Sequence, residues 1–164
     1  MGFSMNYFYK TVKSPVGNLK LVASKKGLAA ILWPDDDATR MQFLALSEDK
    51  RHPVLIAAEQ QLAEYFAGKR KKFSLKLDFI GTPFQKRVWK EMLNIPYGAT
   101  KSYGQLAKNI GKPNASRAVG GANRKNPISI VAPCHRVIGA NGKLTGFAGG
   151  LAAKEFLLKL ECSN

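Results

Sequence analysis

A cysteine and a histidine stand side by side at Cys134-His135, with Pro133 before them and Arg136 after, between the apolar runs Ile128–Ala132 and Val137-Ile138. A thiol framed in this way is held nearly immobile, and a neighbouring imidazole favours the thiolate, the nucleophilic form of the sulfur. The apolar run before Cys134 reads as an extended strand leading into it. Adjacent strand side chains point to opposite faces. His135 therefore reaches the sulfur directly only if the strand ends there, or otherwise through one water. A buried cysteine also serves simply as a small apolar residue, and these residues alone allow both readings. Glu161 follows Leu160 and lies four residues after Leu157, at the border of a helix's apolar face. A carboxylate that holds an imidazole beside a thiol is the general arrangement of an activated nucleophile. The competing reading is a solvated residue near the chain end.

A second group of residues precedes the cysteine. Gly120-Gly121 falls inside a helical pattern, where each glycine costs roughly 1 kcal/mol relative to alanine. Such a cost points to a close approach, either by another helix or by a nucleic-acid backbone. Arg117 stands one turn before the pair and Arg124 one turn after, with Ser116 and Asn123 adding hydrogen-bonding groups. These side chains suit phosphate and groove contacts, although a solvated charged face has the same composition. Asn126-Pro127 ends the helix, because a residue before proline is biased out of the helical region. Tyr103 opens the previous helix as a core aromatic or as a phenol aimed at a ligand.

These residues need a scaffold, and the chain is long enough for one. Its 164 residues carry 45% hydrophobic residues, enough for a packed core and too many for a disordered basic protein. No apolar run approaches the roughly 18–20 residues of a membrane span, and Met1–Met5 lacks the features of a signal peptide. Only two cysteines occur, Cys134 and Cys162, which argues against a disulfide scaffold and for a reducing cytoplasm. The net charge of +15 is uneven. Residues 1–80 hold 13 Lys/Arg against 8 Asp/Glu, and residues 81–164 hold 13 against 3. The second half thus looks like the polyanion-binding half, with nucleic acid favoured over an anionic membrane and a generally basic surface kept for solubility as the competing reading.

The elements divide at the same place. Tyr7–Val12, Leu19–Ala23 and Leu28–Trp33 are strand-like runs separated by turn material, a small antiparallel meander closed by Pro34-Asp35-Asp36-Asp37. Pro53–Ala67 has Leu55, Ala58, Leu62 and Phe66 at helical spacing, and Phe73, Leu75 and Leu77 alternate as a further strand would. Thr82-Pro83-Phe84-Gln85 and Ser102-Tyr103-Gly104-Gln105 are capping boxes. The first opens a helix with Phe84, Val88 and Met92 on one face. The second opens a short helix ending at Gly111. A third helix is expected from about Asn114 to Arg124, and the last two have the form of a helix-turn-helix. Arg136–Phe147 reads as a wing-like loop. A final helix has Ala153, Phe156, Leu157 and Leu160 on one face. The expected organisation is an α/β domain over 1–80 and a DNA-binding, catalytic domain over 81–164.

Several motifs occur here in a specific order: Phe84-Gln85-x-x-Val88-Trp89, Ile95-Pro96-Tyr97-Gly98, Ser102-Tyr103, Arg117-Ala118-Val119-Gly120-Gly121-Ala122, Asn126-Pro127 and Pro133-Cys134-His135-Arg136-Val137. In that order the chain closely resembles the 6-O-alkylguanine-DNA alkyltransferases, strongly over about residues 82–161 and more loosely before. The resemblance implies an α+β chain: a ribonuclease H-like N-terminal domain and a winged helix-turn-helix-like C-terminal domain that enters the minor groove. It implies a single-turnover repair protein that moves an alkyl group from the 6-oxygen of guanine, and from the 4-oxygen of thymine, in double-stranded DNA to Cys134.

By the same resemblance His135 acts as a base through a water, Glu161 orients it, and Tyr103 helps flip the nucleotide and protonates the leaving guanine. Arg117 fills the vacated stack, and Asn126 stabilises the turn that binds the base. Val131, Cys134, Val137 and Ala148 line the guanine pocket with backbone groups. Phe147 and Ala148 depart from the tyrosine and serine common at their positions, which bears on the range of alkyl groups tolerated. The N-terminal half has His52 and no cysteine, so no zinc is expected there, and no cofactor is expected at all. The protein is expected to act as a monomer. Two other classes remain to be distinguished: a DNA-binding sensor that gains no mass at Cys134, and a Cys-His hydrolase or acyltransferase that turns over.

Overall fold

The computed structural model describes residues 6–34, 36, 46–144 and 146–163. Asp35 and Asp37 of the expected closing turn, together with Met1–Met5, lie outside them. The chain divides into two compact units, Met1–Ile80 and Gly81–Asn164.

In the first unit, β1 (Tyr7–Val12), β2 (Leu19–Ala23) and β3 (Leu28–Leu32) form the expected antiparallel meander. The sheet is not wholly antiparallel, however. A short strand, β4 (Leu46–Glu48), adds to the outer edge of β1 in parallel, giving the order β3-β2-β1-β4. Tyr7, Val22, Ala29 and Ala30 form a core cluster with Tyr9, Leu32 and Leu46 packed against it. The helix α1 (Pro53–Phe66) lies against β1, β2 and β3. Its buried stripe is Leu55, Ala58, Leu62 and Tyr65, with Tyr65 taking the place expected of Phe66.

The strand expected at Phe73–Leu77 does not form. The segment touches β3 only through a single parallel bridge between Leu28 and Leu77, where Leu28 N–H donates to Lys76 O and Asp78 N–H donates to Leu28 O. Upstream, the Gln61 side chain takes the Ser74 N–H. A side-chain bond from α1 and a single bridge to β3 thus stand where alternation alone suggested a ladder.

The second unit is mainly helical. Its first helix, α2 (Pro83–Met92), starts at a complete capping box on Thr82 and Gln85, and α3 (Tyr103–Asn109) at a second on Ser102 and Gln105. Two orphan backbone donors are satisfied at each start. The third helix, α4 (Ser116–Arg124), begins two residues later than expected and has no side-chain cap. Buried Val88, Trp89 and Met92 seat α2 in the core, and Trp89 Nε1–H donates to Ala122 O at 2.8 Å, which locks α2 to α4. Two short parallel strands, β5 (Lys101–Ser102) and β6 (Val137–Ile138), join the entry of α3 to the chain leaving the cysteine. A turn over Gly139–Lys143 follows β6.

The last helix, α5 (Leu151–Cys162), corrects the expected apolar face. Phe156 is exposed, whereas Lys154, Leu157 and Glu161 are buried. Two of the three residues facing inward are charged, so hydrophobic spacing misjudges the face.

Candidate active site

The approach to Cys134 is a compact loop and not the extended strand expected over Ile128–Ala132. Asn126, itself buried, pins it twice: Nδ2–H donates to Ala132 O at 2.8 Å, and Oδ1 accepts from Ile128 N–H at 3.1 Å. Within this clamp Ala132 N–H bonds Ile128 O. Ile130 has φ +76°, and Val131 N–H bonds Ser129 O across it. That is a γ-turn of the strained hand at a β-branched residue, which persists only where the surroundings enforce it. Pro133, at φ −82° and ψ 67°, makes the relaxed γ-turn, with Cys134 N–H bonding Ala132 O at 2.8 Å. Alternating apolar residues concealed this geometry. The polar clamp, not the run's hydrophobicity, decides it.

Cys134, His135 and Arg136 then form one turn of 3₁₀ helix. The strand-face objection to a Cys-His pair therefore falls, because neither residue is in a strand. Cys134 is 2% exposed, and its sulfur lies 4.0 Å from Ser129 Oγ. Burial pushes the thiol above its ordinary value, while hydrogen bonds from Asn126 and Ser129 and the charge of Lys154 pull it down.

His135 is fully buried, with Nε2 2.6 Å from Glu161 Oε2. Burial holds its pKa below the ordinary 6.5, opposed by Glu161 and reinforced by the Arg136 and Lys154 charges. A carboxylate only accepts, so the neutral ring carries its proton on Nε2 and leaves Nδ1 as the lone-pair nitrogen. Nδ1 is buried without a hydrogen-bond partner among the described residues.

Glu161 binds more than the imidazole. Arg136 Nε donates to Oε1 at 2.8 Å and Nη2 to Oε2 at 3.0 Å, a bidentate pair, and Gly98 N–H donates to Oε1 at 3.2 Å. The carboxylate is thereby held from three sides. Arg136 itself donates to Ile95 O at 2.7 Å and lies over the Tyr97 ring at 5.7 Å. Gly98 has φ +79°, a conformation open to glycine, and this aims its N–H at the carboxylate. The motif Ile95-Pro96-Tyr97-Gly98 is thus a cradle for the Arg136–Glu161 pair as well as a helix stop. Arg136, expected in a wing, is buried beneath the site. The wing-like segment begins after β6, and Thr145 in it lies outside the described residues.

The expected DNA-contact residues divide. Ser116, Arg117, Gly120 and Arg124 line one open cleft of about 540 Å³, together with Ser102, Tyr103, Gly104 and Ala140. A Cβ on Gly120 would meet the Tyr103 ring at an ordinary 3.8 Å, and one on Gly121 would meet nothing within 4 Å. Close helix packing therefore does not require these glycines, and their face is open. Asn123 departs from expectation. It is 3% exposed and does not line the cleft, because α4 turns that position inward. Val131 and Val137 are buried beside the cysteine turn, and Phe147 and Ala148 are half-buried.

Sequence reasoning missed Ser129, Lys154 and the role of Arg136. Ser129, one hydroxyl in an apolar run, gave no signal. Lys154 did, because it shares a helix face with Leu157 and Glu161, where a solvated lysine is out of place.

A buried Cys-His-Glu set, in a unit that also carries an open, arginine-lined helix face, defines a class, and comparison with known proteins agrees. Residues 83–163 match the DNA-binding domain of 6-O-methylguanine DNA methyltransferase, and residues 7–79 match the ribonuclease-like domain of the same family. The chain belongs to the 6-O-methylguanine DNA methyltransferase family. It is 48% identical over 165 residues to the methylated-DNA--protein-cysteine methyltransferase of Methanosarcina acetivorans, covering 95% of this chain and 99% of that one. The protein of the same name from Mycolicibacterium paratuberculosis is 48% identical over 93% of this chain and 91% of its own. Among solved structures, Mycobacterium tuberculosis OGT in complex with DNA superposes with a TM-score of 0.85 at 46% identity, covering 96% of this chain and 93% of that one.

Proposed function

We infer that this protein reverses guanine alkylation directly, taking the alkyl group from the 6-oxygen onto Cys134 in a single, irreversible turnover on double-stranded DNA. The observation that carries this reading is the buried relay: a thiol beside an imidazole whose Nε2 is held 2.6 Å from a carboxylate and whose Nδ1 is unpartnered.

The chemistry is a displacement at carbon. The thiol proton passes to His135 Nδ1 through a water, and Glu161 stabilises the imidazolium that results. The thiolate attacks the alkyl carbon, the S–C bond forms as the C–O bond breaks, and the electron pair stays with the purine. Tyr103 protonates a ring nitrogen of the departing guanine, which therefore leaves neutral. A thioether has no easy hydrolytic route, so the sulfur is not regenerated.

A base inside a duplex cannot reach this sulfur and must be extruded, at a cost of a few kcal/mol. Arg117, exposed on the cleft-forming face of α4, occupies the vacated stack. Ser116, Arg124 and the open Gly120-Gly121 face meet the backbone, assisted by the uncapped, positive N-terminus of α4. Asn126 keeps the base-binding loop in shape. Val131, Val137, Phe147 and Ala148 border the base pocket. DNA binding and transfer reside in residues 81–164, with residues 1–80 as a separate domain. No helix of the described residues is long and apolar enough to cross a membrane, and the protein acts as a cytoplasmic monomer.

Intact-protein mass spectrometry after incubation with a duplex containing 6-O-methylguanine tests this. The expected result is one methyl per molecule, located at Cys134 and absent in Cys134→Ser, which still binds DNA. An unchanged mass would favour a lesion sensor, and repair of many lesions per molecule would favour a hydrolytic enzyme.

A further inference from the structure

Beside the arginine-lined cleft lies a second cavity, of about 290 Å³, that no step of the proposed reaction uses. Thr100, Lys101, Ser102 and Gln105 line one side of it, and Ile138 with the turn that follows lines the other. Ser102 and Ala140 line both cavities, so the two are contiguous across that pair. The two sides are joined by the parallel pairing of β5 and β6, with Lys101 opposite Val137 and Ser102 opposite Ile138. The turn is closed by Gly142 N–H on Gly139 O at 2.9 Å and by Gly139 N–H on Lys143 O at 3.1 Å. Backbone bonds thus hold the cavity in shape before anything enters it.

Some of its polar groups are already spent. Ser102 N–H donates to Gln105 Oε1 at 2.8 Å, and Gln105 N–H donates to Ser102 Oγ at 3.1 Å, which is the capping box of α3. Lys101 and Thr100 differ. Neither the Lys101 ammonium nor the Thr100 hydroxyl has a hydrogen-bond or ion-pair partner among the described residues. Lys101 is half-buried and Thr100 is exposed. No aspartate or glutamate occurs from Met92 to Lys154, the stretch that supplies every residue lining both cavities. A cation and a hydroxyl donor with no carboxylate between them select an anion with several acceptor oxygens.

We propose that Lys101 and Thr100 hold a backbone phosphate of the duplex in this second cavity, next to the stretch of strand that lies in the arginine-lined cleft. The proposal rests on the reading of that cleft as the DNA-binding face and extends its footprint beyond α4. Continuity favours a phosphodiester over a free anion. A strand is an unbroken row of phosphates, and one that leaves the cleft past Ser102 and Ala140 enters this cavity. Tyr103 follows Ser102 and lines the first cavity, so the strand is gripped on either side of the Ser102-Tyr103 pair. Phosphate contacts fix register and orientation without reading sequence. This one steadies the strand while a nucleotide is out of the stack.

Salt-dependent binding tests the contact. Lys101→Ala should weaken binding to undamaged and to alkylated duplex by the same factor. The slope of log affinity against log salt should become shallower by about 0.9, the loss of one phosphate contact. Lys101→Arg keeps the charge and should restore the slope. Neutral methylphosphonate linkages, placed one at a time along the duplex, locate the phosphate. One linkage near the lesion should cost the parent protein affinity and cost Lys101→Ala none. Thr100→Val, at an exposed position, supplies an independent check through the hydroxyl and should blunt the effect of the same linkage. An unchanged slope in folded Lys101→Ala overturns the proposal, and so does a methylphosphonate profile identical in parent and variants. Weakening confined to alkylated duplex also overturns it, because a backbone contact does not read the base. Binding of inorganic phosphate that depends on Lys101, with duplex affinity unmoved, would mark a free-anion site and reject the strand. The expected slope change in a protein that gains no methyl would instead refute the acceptor role of Cys134 and leave the phosphate contact standing.

Discussion

Residue by residue, the site depends on keeping His135 neutral inside the protein. Burial lowers its pKa below the ordinary 6.5, although Glu161 opposes this. Below pH 6.5 the unfolded chain therefore takes up a proton that the folded chain refuses. The contribution of this group to stability is full above 6.5 and is lost as pH falls through the lower folded value. The urea midpoint is expected to fall across that interval, and a midpoint flat from pH 7 downward would contradict the burial argument. Glu161 offers a second check. Removing one partner of a buried ion pair strands the other, at about 3–5 kcal/mol. Glu161→Ala should destabilise by that order in chemical denaturation, since it strands Arg136 and His135 together, and transfer should fall with it. At this scale the sequence offered Glu161 as a partner for His135 beside Cys134, with a solvated residue as the competing reading, and the structure brings the imidazole and carboxylate to 2.6 Å. Helical spacing put Glu161 at the edge of α5. Only the fold brings Arg136 and the Gly98 N–H to it.

The elements show where local rules suffice. Both capping boxes were legible as Ser/Thr-x-x-Gln patterns, and both helices begin there, because the bonds that define a cap lie within four residues. The loop before Cys134 was not legible. Its shape rests on the Asn126 clamp and on an isoleucine at positive φ, a conformation that residue never selects by itself. Two substitutions separate these cases. Thr82→Ala removes a cap far from the chemistry and should cost about 1 kcal/mol with transfer unchanged. Asn126→Ala leaves a buried carbonyl and a buried N–H without their partner, each worth about 1–3 kcal/mol. It should both destabilise the protein and slow transfer, because the strained loop then has a route to relax. Equal transfer rates in the two variants would show that the clamp does not position the sulfur. The missed β4 and the absent strand at Phe73–Leu77 have a related cause. A strand exists only where a neighbour offers a free edge, and three residues joining β1 in parallel carry little pattern of their own.

At the scale of the molecule, charge governs encounter with DNA. The net charge of +15, with the larger excess after residue 80, predicts a steep fall in affinity with salt as phosphate contacts release counterions. Electrophoretic or fluorescence titrations over a range of salt should give a strongly negative log–log slope, and a flat one would count against the basic cleft. Arg117→Ala should impair base extrusion, read by a fluorescent base analogue, more than it weakens binding to undamaged duplex. The sequence by itself determined the family, the uneven division of charge and the two capped helix starts, and it offered Cys134 as the candidate nucleophile. These reside in residue types and short spacings, which a chain displays without folding. The tertiary structure alone decided what surrounds the sulfur: the γ-turns, the Arg136–Glu161–His135 relay and the buried Lys154. Burial makes the pairing of Arg136, Glu161 and His135 obligatory, and burial is a property of the packed whole.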